Sequence, residues 1–302
     1  DSYMLTLGKS DPFPRFCEIT KDPICKKPIP LVTLTPVGSA ISRAIDIYMT
    51  KFSSISILKS RIMPDHIHLL VFVKEYMKQP LWNYVTSFKG ECRRQMLSLN
   101  IPGLEEKTLL PFRKGFHDRI LTGKGQLAIM NRYVIDNPLR YLYRKIFPDF
   151  FRRHSIVTTA GRQHAAYGNI FLLREAGKEC VRQTRHNSQE EWENKMKRYR
   201  FAMSHNGVLV SPFIGRMEKE VRDEAIERGA RIIRICDNGF SERFKPWGNE
   251  FDLCAQGRLL LIGTPEITLR NMPMTRAKAM LMNKYTEEIA AISMEEMTVR
   301  KI

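Results

Sequence analysis

The stretch Arg61-Ile-Met-Pro-Asp-His-Ile-His-Leu-Leu-Val-Phe-Val73 decides how the chain is read. His66 and His68 stand two residues apart, and an apolar run from Leu69 to Val73 follows at once. A strand repeats its side-chain direction every second residue, so both imidazoles point to one face and Ile67 to the other. Two neutral imidazoles side by side make half of a metal site. The bland alternative, a polar pair on a half-buried sheet with no ligand, fits the spacing as well. Pro64-Asp65 reads as a turn, and Ser54 to Met63 before it as a strand. Residues 54–74 are therefore expected to form a β-hairpin with the histidines just past the turn.

Working outward, Pro14 to Thr20 reads as a first strand, Asp22 to Pro30 as a loop, and Pro36 to Tyr48 as a helix with Val37, Ala40, Ile41, Ala44, Ile45 and Tyr48 on one stripe. Leu81 to Leu97 has the same period through Leu81, Tyr84, Val85, Phe88 and Cys92, with Lys89, Arg93 and Arg94 on its other face. Pro111-Phe-Arg-Lys-Gly-Phe-His-Asp118 interleaves aromatic and basic residues, a pattern that suits base stacking with phosphate pairing. The alternative places Phe112 and Phe116 in the core and leaves Arg113 and Lys114 as solvated charges. Gln126 to Lys145 reads as a third helix containing Asn131-Arg-Tyr-Val-Ile-Asp-Asn-Pro138. Tyr133 and Asn137, four apart, share a face. Pro138 lacks a backbone donor and is expected to kink or restart the helix. Arg140, Arg144 and Lys145 follow as a basic cluster.

His154 to Ala166 is small and polar and reads as a linker. Beyond it, strands are expected at 167–173, 207–214, 231–236 and 258–263, with helices at 189–205, 217–228 and 274–292. Alternating strands and helices imply a mostly parallel sheet with covering helices. Two domains are expected, residues 1–155 and 156–302. No Walker or G-x-G-x-x-G sequence marks a ligand in the second.

The 302 residues are 43% hydrophobic and 27% charged, a globular composition, and carry a net charge of +17. Residues 1–155 hold 25 Lys+Arg against 13 Asp+Glu, a net +12. A chain this basic meets a polyanion, and the binding surface is expected on the first half. Six cysteines without a C-x-x-C pair read as reduced thiols. No apolar run approaches the roughly 20 residues that span a bilayer. A cytoplasmic, nucleoid-associated bacterial protein with no membrane partner is expected.

Met63-Pro-Asp-His-Ile-His-Leu-Leu70 resembles the HUH motif of single-tyrosine transposases, the insertion-sequence and REP-associated tyrosine transposases. Tyr133-Val-Ile-Asp-Asn-Pro-Leu-Arg140 resembles their nucleophile helix, in the same order and at a similar separation. The resemblance covers roughly residues 12–155. It implies a ferredoxin-like α+β domain with an antiparallel sheet. It implies His66 and His68 as metal ligands, Tyr133 as nucleophile, and Asn137 at the position of a third ligand. Asp65 stands where many members have asparagine and reads as a turn residue. The second half resembles, more faintly, a Rossmann-like α/β domain.

The implied activity is metal-dependent nicking and joining of single-stranded or hairpin DNA through a 5′-phosphotyrosine, with Mg²⁺ or Mn²⁺, by a monomer or homodimer. A free tyrosine, with a pKa of ~10, is about one part in a thousand ionised at neutral pH. A helper is therefore needed, and Lys89 and Arg132 are the candidates. Lys89, Arg93, Arg94, Arg113, Lys114, Arg132, Arg140, Arg144 and Lys145 are the expected DNA contacts. Two rivals stand beside this. A histidine-triad nucleotide hydrolase would need a third histidine where Leu70 stands. A domesticated, non-catalytic DNA-binding protein would keep the residues without using them.

Overall fold

The structure is a computed structural model describing residues 1–25, 27–77, 79–99, 109–158, 160–183, 188–268 and 273–301. Part of the 99–118 connection and of the 154–166 segment therefore lies outside the described residues. The chain forms two compact units, Asp1–Tyr143 and Arg144–Ile302.

The first unit runs β1 (Ser2–Gly8), β2 (Cys17–Lys21), β3 (Pro30–Leu34), α1 (Pro36–Lys51), β4 (Ile55–Ile62), β5 (His66–Val73), α2 (Leu81–Ser98), β6 (His117–Ile120) and α3 (Gln126–Ile146). Four strands form an antiparallel sheet in the order β4-β5-β1-β6, and β2 pairs with β3 as a separate ribbon. The expected hairpin is present as β4 and β5. Its turn is held from outside: the backbone N–H of Lys9 donates to the Asp65 carbonyl (2.8 Å) and that of Phe16 to the Pro64 carbonyl (3.1 Å).

The sheet has two unlike faces. Ile67, Leu69 and Val71 of β5 join Leu5 and Leu7 of β1 in the main core, against Ala40, Ile41 and Ala44 of α1 and Val85, Phe88 and Cys92 of α2. The other face carries His66, His68 and Leu70, and Met4 and Leu70 pack on Val134 of α3. Helix α1 starts where the sequence places it, because Pro36 is pre-set for a first turn and the Thr35 hydroxyl accepts from the Gly38 N–H (3.1 Å). Gly38 is required there, since a Cβ would lie 1.9 Å from the Phe16 carbonyl oxygen.

Four readings are narrowed or overturned in this unit. The sheet's first strand is Ser2–Gly8, whereas the Pro14–Thr20 segment contributes only to the separate ribbon. Pro30–Leu34, the end of the expected loop and beyond, is that ribbon's second strand. Helix α3 runs as one element through Pro138 and does not restart. Phe112 is buried edge-on to Phe16, 5.5 Å between centroids, so it belongs to the core and offers no stacking surface.

The second unit holds β7 (Arg153–Thr158), β8 (Gln163–Gly168), β9 (Lys178–Cys180), α4 (Gln189–Ser204), β10 (Val208–Ser211), α5 (Arg216–Glu227), β11 (Arg231–Ile235), α6 (Asn249–Ala255), β12 (Leu259–Gly263), α7 (Arg276–Ala291) and β13 (Met297–Lys301). Its mixed sheet has the order β13-β7-β8-β12-β11-β10-β9, with β9 to β12 parallel and β8, β7 and β13 antiparallel. Helices α4, α5 and α6 cover one face and α7 the other. The expected linker, His154 to Ala166, instead pairs β7 with β8 as an antiparallel hairpin. The expected 167–173 strand is the end of β8 followed by a 3₁₀ turn, Ile170–Arg174. Short polar strands such as β7 lack the apolar run that marks a buried strand. Among the described residues no helix is long and apolar enough to cross a membrane.

Candidate functional site

Strand register assembles the site. His68 lies directly across from Thr6 of β1 on one side and Arg61 of β4 on the other. Directly paired residues of antiparallel strands point the same way. Arg61, His68 and Thr6 therefore form one row on the face that α3 covers. Thr6 is also paired with His117 of β6, which extends the row to the sheet's edge.

The two imidazoles converge. His66 Nε2 and His68 Nε2 are 3.0 Å apart, with ring centroids 4.5 Å apart. Each ring is held at its other nitrogen: His66 Nδ1 lies 2.7 Å from Asp65 Oδ1, and His68 Nδ1 lies 2.9 Å from Thr6 Oγ1. Such outer partners fix ring orientation and raise the donor strength of the opposite nitrogen. The Asp65 carboxylate only accepts, so it selects the Nδ1–H tautomer of His66 and leaves the Nε2 lone pair facing His68. Thr6 can accept or donate. If it accepts from His68 Nδ1–H, both Nε2 lone pairs face the same point; if it donates, His68 Nε2–H bonds to His66. The hydroxyl rotor thus lets the pair exist with or without an ion between them.

His68 is 5% exposed, and its pKa is lowered to about 3 by burial first and by the neighbouring His66 second, with Asp65 opposing. It is neutral at physiological pH, the form that ligates a metal. Among the described residues no group of three or more His, Cys, Asp or Glu is arranged to hold a metal ion by itself. A third protein ligand would have to be an amide or hydroxyl.

Tyr133 sits on the side of α3 that faces this row. Its ring is edge-on to His68 with centroids 5.6 Å apart, and the Arg140 guanidinium lies 5.6 Å from its centroid. Asn137, one turn on, is 3% exposed, and its Nδ2 has no hydrogen-bond partner among the described residues. A buried amide in that state awaits a partner or an exchange of its O and N positions. Tyr133, His66 and His68 are thus brought together, with Asn137 buried on the tyrosine's own stripe.

The expected DNA contacts are not brought together. Lys89, Arg93 and Arg94 lie on α2, which packs on the sheet face away from the histidines. Lys89 Nζ donates to the carbonyls of Arg113 (2.8 Å) and Gly115 (2.6 Å), and burial lowers its pKa. It pins a loop and cannot be the helper for Tyr133. Arg94 pairs with the buried Glu91. Arg113 is tied to Asp11 (2.7 Å), and Lys114 is exposed. Arg132, 82% exposed, pairs loosely with Asp136 (3.5 Å). Of the cations named from sequence, Arg140 lies against the tyrosine ring. Arg144 and Lys145 lie in the last turn of α3, which runs past the Tyr143 boundary of the first unit. Thr6, Asp65 and Arg61 were missed as site residues. Asp65 carried a signal, since it adjoins His66, whereas Thr6 is 62 residues from its partner.

Solved structures that match part of the chain include two transposases. A candidate transposase from Deinococcus radiodurans R1 is 16% identical at a TM-score of 0.30, over 46% of this chain and 90% of that one. A REP-associated tyrosine transposase bound to a REP hairpin is 14% identical at a TM-score of 0.32, over 46% of this chain and 67% of that one. TM-scores this low do not by themselves establish a shared fold. No family model matches the chain, and no curated protein matches it.

Proposed function

We propose that the first unit is a metal-dependent DNA nicking and joining centre that works through Tyr133. The observation that carries this is the approach of the two Nε2 atoms to 3.0 Å beside the Tyr133 ring, with each Nδ1 already engaged. With the β2–β3 ribbon and α3 set aside, the first unit runs β-α-β-β-α-β with the sheet order β4-β5-β1-β6, which is what a ferredoxin-like domain would have. The parallel strands β9 to β12 with helices on both faces suit a Rossmann-like reading of the second.

The histidines fit a divalent cation, since the outer nitrogen of each imidazole is satisfied and the inner ones converge; the buried Asn137 amide, whose Nδ2 has no hydrogen-bond partner among the described residues, would ligate through its oxygen. His66 and His68 would hold it, with Asn137 as third protein ligand. Mn²⁺ accepts imidazole more readily than Mg²⁺, and either suits a phosphate oxygen. When bound, the ion supplies Lewis-acid polarisation of a phosphate. The chain's own residues do the rest. Tyr133 Oη attacks the scissile phosphorus, the Oη–P bond forms as the P–O3′ bond breaks, the phenolic proton is lost and the departing O3′ gains one. The 5′-phosphotyrosine conserves the phosphoester, so a later 3′-OH can reverse the step without ATP. Arg140, over the ring, supplies positive charge beside the phenol as its proton departs. The net +12 of residues 1–155 suits single-stranded or hairpin DNA with salt-sensitive affinity.

The test is incubation of the full chain with a labelled single-stranded oligonucleotide and Mn²⁺ or Mg²⁺. A denaturant-stable adduct that chelator suppresses is expected. DNA binding with no adduct in either metal would replace this reading with that of a non-catalytic DNA-binding protein.

A further inference from the structure

Pro138 lies inside α3 and has no backbone N–H. In an α-helix the carbonyl of residue i accepts from the N–H of residue i+4. The Val134 carbonyl, in the middle of this helix, is therefore deprived of its usual in-helix donor. Val134 is fully buried against Met4 and Leu70, where water is a poor substitute. The donor comes instead from the sheet. Arg61 Nε points to the Val134 carbonyl oxygen at 3.4 Å. The bond is long, and the charge on the donor strengthens it. Arg61 is half-buried on β4, directly paired with His68.

One guanidinium thus joins three features: the helix defect made by Pro138, the carbonyl of the residue next to Tyr133, and the row that carries His68. We propose that Arg61 is a positioning residue for Tyr133, a strut that replaces the missing helix hydrogen bond and sets the tyrosine's turn against the histidine pair. The proline makes the site for the strut, because its ring turns aside the carbonyl that Arg61 takes up. Small displacements of a reacting group cost rate steeply, so such a strut acts on the rate of reaction and not on affinity for DNA. The inference rests on the nicking reading for its catalytic part only; the link between Arg61 and Pro138 stands in the fold.

The experiment is a double-mutant cycle with Arg61→Met and Pro138→Ala, read by the single-turnover rate of adduct formation, by oligonucleotide Kd and by Tm of the full chain. Pro138→Ala returns an N–H to the Val134 carbonyl. Arg61→Met alone is expected to slow adduct formation by about tenfold or more with Kd unchanged within about twofold. In the double variant most of that loss should be recovered, and the Tm effects should be non-additive in the same sense. Arg61→Lys, which keeps the charge but lacks the fixed Nε–H, should behave like Arg61→Met. Equal loss of rate and of Tm on Arg61→Met in both backgrounds would overturn the strut. A weakened Kd with a reduced salt slope, unrescued by Pro138→Ala, would make Arg61 a phosphate contact instead. No adduct from the wild type under any metal, with Tm coupling intact, would overturn the catalytic role and the nicking reading while leaving the Arg61–Val134 link as a feature of the fold.

Discussion

Each unit carries a histidine pair on a sheet, and the two pairs are built in opposite ways. In the first unit His66 and His68 occupy one strand, both outer nitrogens have partners, and the inner nitrogens face each other at 3.0 Å. In the second, His154 and His164 occupy neighbouring strands, are 2% and 1% exposed, and none of their four ring nitrogens has a hydrogen-bond partner among the described residues. Their strands lie against an apolar cluster that includes Ile156, Ala166 and Met282, and His164 meets the Tyr285 ring edge-on at 4.8 Å. Burial lowers the pKa of both, with Lys301 and Arg152 adding to it for His154 and Asp149 opposing. Burying polar nitrogens unpaired weakens a fold, whereas converging nitrogens with satisfied outer shells are the pattern of a site. Chemistry follows the direction of the lone pairs, and residue type alone does not supply it.

The sharpest way to break this comparison is to remove the nucleophile. Tyr133→Phe should lower adduct formation by at least ~10³-fold while leaving oligonucleotide binding unchanged in a gel-shift assay. Removing a ligand comes next. His66→Ala or His68→Ala should cost roughly 10²-fold or more in cleavage at fixed Mn²⁺, whereas His154→Leu and His164→Leu should leave cleavage untouched; equal losses from both pairs would erase the distinction. The outer partners should matter less. Thr6→Val and Asp65→Ala should each weaken apparent metal affinity by about 10–100-fold, measured by Mn²⁺ titration of cleavage, with the maximal rate closer to wild type.

The smallest effect belongs to the second pair. A histidine whose pKa is lower folded than unfolded binds its proton more readily in the unfolded chain. Its contribution is intact above the unfolded value of about 6.5 and is lost as pH falls below it, by about 1.4 kcal/mol per pH unit for each histidine kept neutral. Thermal unfolding should therefore shift downward as pH falls below about 6.5, and His154→Leu/His164→Leu should flatten that dependence. A profile unchanged by the double substitution would show that other groups govern it.

The parts that share a local period were legible in sequence. The i, i+2 spacing of His66 and His68 on a strand and the i, i+4 spacing of Tyr133 and Asn137 on a helix fix relative direction without tertiary knowledge. The bounds of α1, α2 and α3 followed from the same periodicity. What was not legible depends on pairing across the chain. Thr6 becomes a partner of His68 only through strand register, and β1 was missed although Tyr3, Leu5 and Leu7 alternate with Ser2, Thr6 and Gly8 as a strand's residues do. Lys89 and Arg113 read as nucleic-acid contacts by charge alone. Their fate was decided by which side of the sheet α2 covers and by the nearby carbonyls and Asp11. Phe112 went the same way, since an aromatic between basic residues is equally a core residue next to a turn.

The most direct measurement is peptide mapping by mass spectrometry of the protein after reaction with a single-stranded oligonucleotide and Mn²⁺, followed by nuclease trimming. The account predicts a nucleotide mass on the peptide that contains Tyr133, absent when chelator replaces the metal and absent in His66→Ala and His68→Ala. A modification on any other residue, or one on Tyr133 that forms equally well in chelator, would contradict it.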